Sequence, residues 1–204
     1  MQKILEKRER RLGVKLSIKG DRCNSPKCAL IRKPNKPGSG QGKRMSKITE
    51  YGSQLLEKQK LRFSYGLTDR QLKSIFQYAA IQADETPKVM LAELESRLDN
   101  VVHRLGLTQS RSISRRMVNH GHFTVNGRKV TIPSLKLKVG DVVGVRPQSS
   151  DMAQFKDLKE KLKDVQPPDW LQFDVDKLEG KVVSTPHDVD VPVDIGLVID
   201  YYLR

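Results

Sequence analysis

Three groups of residues in this chain have types and spacings that could do chemistry. The largest is cationic. If residues 87–105 form one helix, Glu93, Arg97, Asn100 and Arg104 fall within roughly 60° of one another at about 100° per residue. Ser110 and Arg111 would open a second helix, whose free N–H groups favour a phosphate. Arg115, Asn119, His120 and His122 follow on the same side, and Asn126 and Arg128 lie at the tip of a hairpin. That set suits an anionic backbone better than a reaction. The second group is Cys23 and Cys28, two thiols of the kind a structural zinc takes as ligands. A closed structural site needs four ligands, and none of His103, His120, His122 or His187 is near in sequence. The third is His120 with His122. Acid–base or nucleophilic work would need a carboxylate or nucleophile at fixed spacing, and none is there, so a helix-end hydrogen bonder and a ligand contact are expected instead.

These residues need elements to hold them. Thr86-Pro87 reads as an N-cap followed by proline in the first turn. Met90, Leu91, Leu94, Leu98, Val101, Val102 and Leu105 then recur at helical steps until Gly106. Ser110 caps a shorter helix that carries Arg111, Arg115 and Arg116 outward, Ile113 and Met117 inward, and ends at Gly121. Asn126-Gly127 between Phe123–Val125 and Arg128–Val130 is a hairpin signal, and Val142–Val145 reads as a further strand. Upstream, a helix is expected from Thr49 to about Tyr65. Thr68 and Gln71 have the spacing of a capping box opening another through Leu72, Ile75, Phe76 and Ala79. Lys58, Lys60, Arg62, Arg70 and Lys73 load these two helices with cations. Downstream, residues 152–164 read as a mixed-charge helix. Trp170–Val175 alternates like a strand, with a partner at Lys181–Val183 across a turn at Glu179-Gly180. The run Ile195–Leu203 is open: its β-branched residues argue strand, while Asp194 as a cap argues helix.

Charge narrows the class of partner. Residues 1–80 hold 20 Lys and Arg against 6 Asp and Glu, whereas 151–204 hold 7 against 12. One end therefore carries an excess equal to the +14 of the whole chain. A polyanion partner explains that asymmetry; a solubility device would not need it. Aromatics are only 5%, too few to stack many bases, which favours folded RNA read by shape and backbone over a single strand. Glycines and prolines interrupt every period in residues 1–47, so that segment cannot offset its ordering entropy alone and is expected to be ordered by its partner. No apolar run approaches the ~18 residues of a membrane span, and no solenoid repeat or Gly-rich nucleotide loop is present. With two cysteines and no export signal, a reducing cytoplasm is expected.

Particular strings go further. Leu94-Glu95-Ser96-Arg97-Leu98-Asp99-Asn100-Val101-Val102, with Arg104-Leu105-Gly106, resembles the opening helix of the RNA-binding module in the family of small-subunit ribosomal protein four. Val118-Asn119-His120-Gly121-His122, Thr124-Val125-Asn126-Gly127-Arg128, Pro133-Ser134, Glu57–Arg62, Tyr65-Gly66 and Val198–Tyr202 continue the pattern, so the resemblance spans most of the chain. It implies a primary binder of 16S-type rRNA that nucleates assembly of the subunit body. It also implies partners among the 30S proteins, small-subunit protein five above all, with an influence on decoding accuracy. By the same resemblance the tail returns to the N-terminal helices, and Lys43, Arg44 and Lys47 border the side where mRNA enters. A Gly-Ser-Gly-Gln insertion departs from the family pattern there. Many relatives hold zinc through four cysteines; here Glu6 and Glu9 stand where the first pair would fall, a poor match to structural zinc. Cys23 and Cys28 are thus expected to be a vestigial pair of thiols without metal, and no cofactor is expected. Arg97-Leu98-Asp99 also matches the core of the pseudouridine synthase motif, but a serine precedes it, it lies mid-helix, and no large catalytic sheet fits the remaining chain.

The expected fold is α+β: a basic irregular extension (1–47), a helical domain (48–86, with 194–204 returning to it), and an RNA-binding domain (87–193) whose core is 87–145. The expected contacts to RNA comprise Lys19, Arg22, Lys27, Lys43, Arg44, Lys47, Lys58, Lys60, Arg62 and Arg70, together with the module residues named above. The competing reading is a stand-alone ribosome- or RNA-associated factor using the same module. Such factors usually lack the basic N-terminal stretch and the Glu57–Tyr65 helix. The expected location is the small ribosomal subunit in the cytoplasm, and no enzyme activity is expected.

Overall fold

The computed structural model describes residues 6–17, 20–38, 47–82, 84–150, 152, 155, 162, 166–187, 189 and 191–204. Lys19, Lys43, Arg44 and most of the mixed-charge helix expected over 152–164 lie outside the described residues. The chain divides into two compact units, Met1–Pro87 with Asp190–Arg204, and Lys88–Val189.

In the first unit the stretch expected to be irregular contains three short helices: α1 (Glu6–Leu12), α2 (Asp21–Asn24) and α3 (Ala29–Arg32). Polar ties set their packing. Arg10 Nε and Nη2 donate to the carbonyls of Lys33 and Asn35 at 2.7 and 2.9 Å, and Glu9 Oε1 accepts from Leu16 N at 3.0 Å. α4 (Glu50–Ser64) is capped by Thr49, whose hydroxyl accepts from Gly52 N. α5 (Asp69–Ile81) opens on the Thr68–Gln71 capping box. Between them Gly66 takes a φ of +63°, the left-handed turn that glycine reaches without penalty. The tail is helical. Asp194 caps α9 (Ile195–Leu203), its carboxylate accepting from Leu197 N at 3.2 Å. α9 packs on α4, with Val198 buried and Tyr202 stacked on Phe76 at 4.9 Å between ring centroids. Leu61, Leu67, Leu72 and Ala79, each fully buried, complete a small core.

The second unit departs from expectation at its first helix. The apolar period from Met90 to Leu105 belongs to two helices, α6 (Thr86–Glu95) and α7 (Leu98–Arg104). Arg97 between them is extended, at φ −71° and ψ 137°, and forms a one-residue antiparallel bridge with Lys136. The amides of Leu98 and Asp99 donate to the carbonyls of Leu135 and Pro133 at 2.9 and 3.1 Å, and Leu137 N donates to Ser96 O at 2.8 Å. A segment some forty residues downstream therefore satisfies the N–H groups that a continuous helix would have bonded internally. α8 (Arg111–His120) has the expected Ser110 cap and ends at a left-handed Gly121.

Five antiparallel strands form one sheet in the order β2-β1-β3-β5-β4. They are β1 (Phe123–Val125), β2 (Arg128–Val130), β3 (Val142–Val145), β4 (Leu171–Asp174) and β5 (Glu179–Val182). Asn126 and Gly127, at φ +50° and +76°, make the two-residue turn with the primed geometry that hairpins favour. The turn expected at Glu179-Gly180 lies instead at Val175–Leu178, where Asp174 Oδ1 accepts from the amides of Asp176 and Lys177. Gly180 is in a strand because Leu105 presses against it: a Cβ there would lie 2.5 Å from Leu105 Cδ1. Leu98, Val101, Val102 and Leu105 of α7 and Met117 and Val118 of α8 bury against Phe123, Val143, Trp170 and Val182. Phe155 and Leu162 of the expected mixed-charge helix are buried in the same core.

Candidate nucleic-acid interface

The break between α6 and α7 decides where the cationic residues go. With the chain turned at Arg97, Glu95 faces Asn100 and Arg104 across the corner, and its side chain is fully buried. Its carboxylate accepts from Arg104 Nε at 2.9 Å and Nη2 at 2.8 Å, a two-point fork. Asn100 Nδ2 donates to the same carboxylate at 2.7 Å and to the Glu95 carbonyl at 3.0 Å. Asn100 Oδ1 then accepts from Arg111 Nε at 2.6 Å, and Arg111 Nη2 stands 3.8 Å from Glu95. A second buried carboxylate, Asp99, lies 3.4 Å from Arg97 Nε and 3.4 Å from Arg115 Nη1. Burial pushes the Asp99 carboxyl up from its ordinary range, while Arg97 and Arg115 pull it down.

The expected outward polar face of one helix is thus corrected. Asn100 and Arg97 are buried, and Arg97 Nη2 has no hydrogen-bond partner among the described residues. The side chains of Arg104, Arg111 and Arg115 stay 27%, 21% and 38% exposed, pinned from beneath by carboxylates. Four guanidiniums against two carboxylates leave the cluster at +2, with His103 contributing nothing at neutral pH. Burial, reinforced by Arg111, lowers that imidazole to about 4, and its Nδ1 lies 3.2 Å from the Thr108 carbonyl. Such an arrangement can present cations to an anion at little further cost in side-chain entropy.

Other expected contacts fall into two sets. Asn119, His120 and Arg128 are exposed, and Arg116 and Lys129, exposed beside them, add cations that were not among the expected contacts. Ser110 is not: it is 1% exposed and its hydroxyl accepts from Ile113 N, so it serves its own helix. Asn126 is exposed but occupied, donating to Asp141 Oδ1 at 2.8 Å and accepting from Val142 N at 2.9 Å. His122 Nδ1 lies 3.0 Å from Ser149 Oγ, and burial with His120, Arg146 and Lys129 nearby lowers its pKa. Glu95 is the residue the sequence reading passed over. Its spacing to Asn100 and Arg104 has no meaning on a continuous helix.

In the first unit, Lys47 and Arg70 are exposed, whereas Lys58 is buried. Lys58 Nζ lies 3.3 Å from Asp69 and 4.2 Å from the centroid of the Tyr201 ring. Arg62 pairs with Asp69 at 2.6 Å, and Lys60 pairs with Glu57. The expected cationic face of these helices is therefore largely folded inward. Arg22 and Lys27 are exposed, and Arg22 Nε lies 3.3 Å from Glu6. Cys23 and Cys28 are buried and not joined in a disulfide. Glu6 and Glu9 hold Arg22 and Leu16 N, and no group of three metal-ligating side chains converges among the described residues. Among those residues, no helix is long and apolar enough to cross a membrane.

Residues 4–95 match the profile described as ribosomal protein S4/S9 N-terminal domain, and residues 96–143 match the S4 domain. The chain is 46% identical over 198 residues to small ribosomal subunit protein uS4 of Pelotomaculum thermopropionicum, covering 96% of this chain and 94% of that one. Small ribosomal subunit protein uS4 of Halothermothrix orenii is 46% identical over 197 residues, with 96% and 94% covered. That of Thermus thermophilus is 44% identical over 197 residues, again with 96% and 94% covered. With relatives this similar along nearly its whole length, and both profiles matched in sequence, the chain belongs to the uS4 family of small ribosomal subunit proteins.

Proposed function

We propose that the protein is a structural component of the small ribosomal subunit that binds 16S-type rRNA directly. The observation that carries this reading is the pair of buried carboxylates beneath Arg104, Arg111 and Arg115. Buried charge of this kind is a poor way to gain stability. It is a good way to hold guanidiniums at set positions for a folded phosphate backbone. Counterion release supplies affinity, and fixed geometry selects one RNA fold. Arg97 and Asn100 act through others: Asn100 orients Arg111, and Arg97 stands beside Asp99, which holds Arg115. Arg116, Asn119, His120 and Arg128 make direct contacts, as do Arg22, Lys27, Lys47 and Arg70.

In this reading the basic N-terminal unit and the second unit engage the same rRNA, and the protein nucleates assembly of the subunit body. The acidic stretch after residue 150 suits a protein neighbour, and small-subunit protein five is the proposed one, with decoding accuracy as the consequence. Lys43, Arg44 and Lys47 are assigned to the path of entering mRNA. No reaction is assigned to the chain. The test is binding of the full chain to a small-subunit rRNA transcript, with stoichiometric cosedimentation on salt-washed small subunits. Arg111→Glu is expected to weaken transcript binding about tenfold or more and to flatten its salt dependence. Unchanged binding at moderate salt would contradict the assignment.

A further inference from the structure

Asn126 is the only one of the five asparagines in the chain that is followed by glycine. That dipeptide is chemically the weakest place for an asparagine, because the next backbone amide carries no neighbouring side chain to keep it from the Asn carboxamide. The pair that makes the hairpin turn is therefore also a reactive one. The fold holds it in an unreactive form.

Past Val125 the β1–β3 ladder continues through Asn126. Its amide donates to the Val142 carbonyl at 2.8 Å. The return bond uses the side chain: Val142 N donates to Asn126 Oδ1 at 2.9 Å. At the other end of the carboxamide, Nδ2 donates to Asp141 Oδ1 at 2.8 Å. Asp141 Oδ2 accepts from Lys138 N, also at 2.8 Å, so this carboxylate is itself held. Asn126 is exposed, yet both polar atoms of its side chain are engaged. For the Gly127 amide to reach Cγ, both bonds must break. The amide must also rotate out of the primed turn set by φ of +50° and +76°.

We propose that Asn126 is a latent modification site, deamidated wherever this hairpin opens, with its contact to Asp141 as the latch that keeps it closed. The inference goes beyond the rRNA reading and does not depend on it. In the reaction the Gly127 nitrogen attacks Cγ of Asn126 and forms a new C–N bond. The Cγ–Nδ2 bond breaks, and Nδ2 leaves as ammonia with the proton lost by the Gly127 amide. Water then opens the cyclic imide at one carbonyl or the other, giving aspartate or isoaspartate. The aspartate product turns the Nδ2–H donor into an oxygen, so a hydrogen bond becomes a contact between two carboxylates. The isoaspartate product adds a main-chain methylene to a two-residue turn. Either product loosens the end of the ladder and adds negative charge beside Arg128 and Lys129.

The experiment is peptide mapping by mass spectrometry of the full chain held at mildly alkaline pH, folded and in urea. Unfolding is expected to speed loss of the Asn126 amide about tenfold or more. In the folded chain Asp141→Ala is expected to speed it about fivefold or more. Asp141→Asn has a single amide oxygen for two donors and is expected to fall between; it decides the matter if Asp141→Ala does not fold. Gly180→Ala strains the same unit away from the hairpin and is expected to stay within about twofold of the unsubstituted rate. Absence of deamidation in urea would overturn the site itself. Equal rates folded and unfolded would overturn its latency. Unchanged rates in both Asp141 variants, or a Gly180→Ala rate equal to that of Asp141→Ala, would overturn the latch. Asn126→Asp, which supplies one product directly, is expected to speed hydrogen exchange of the Val142 amide about threefold or more, and unchanged exchange would overturn the loosening.

Discussion

Glu95 shows how one side chain organises a surface it does not reach. It is fully buried, yet it fixes Arg104 by two hydrogen bonds and Arg111 through Asn100. Glu95→Gln should cost about 2–3 kcal/mol in urea unfolding, because Arg104 and Arg111 lose their counter-charge while remaining partly desolvated. Transcript affinity should fall as well, although no cation has been removed. Unchanged affinity would mean that the clamp serves the fold alone. His103 offers an independent check on the same corner. Its folded pKa, about 4, lies below the ordinary 6.5, so the unfolded chain binds the extra proton first. Stability from this residue is complete above pH 6.5 and is lost as pH falls toward 4, about 3 kcal/mol in all. His103→Gln should remove most of that pH dependence, and an unaltered profile would show that the imidazole is not desolvated. At this scale the sequence revealed residue types but not their company. Arg97, Asn100 and Arg104 stand out as polar positions in an apolar period, and nothing local says that they turn inward.

Elements with local causes were legible. The Asn126-Gly127 hairpin, the Ser110 and Thr68 caps, and the left-handed stops at Gly66 and Gly121 all follow from chemistry within a few residues, and the structure has each of them. The break at Arg97 was not legible, because its cause is the segment Pro133–Leu137, which supplies hydrogen bonds from far along the chain. The apolar spacing survives the break, since Leu94 and Leu98 are both buried, so periodicity could not betray it. Gly180 misled for a related reason: a glycine demanded by the close approach of Leu105 resembles a turn glycine. Gly180→Ala should destabilise the second unit by about 1–3 kcal/mol through overpacking, read by chemical denaturation. A neutral substitution would show that Leu105 moves aside freely. The short helices of the extension likewise depend on contacts across the segment, such as Arg10 with Lys33 and Asn35. In the same region Cys23 and Cys28 lack further converging ligands among the described residues. Metal analysis of the purified protein should find less than about a tenth of an equivalent of zinc, and a value near one would refute the metal-free reading.

Over the whole molecule, charge is the property that sequence and structure express together. The excess of cations in residues 1–80 was visible from composition, but composition could not show which of them are spent internally. Lys58, Lys60 and Arg62 pair with Asp69 and Glu57 inside their own unit, while the α7–α8 cluster keeps net positive charge. Affinity should therefore come from fewer cations than the formal +14 implies, placed where the fold fixes them. The central claim is recognition of RNA shape by pre-positioned cations, and salt separates that from general attraction. The deciding measurement is the affinity of the full chain for its small-subunit rRNA transcript and for an unrelated structured RNA of equal length, across increasing salt. Both affinities should fall with salt, while the preference for the cognate transcript persists or grows. A preference that vanishes as salt rises, or none at any salt, would contradict the account.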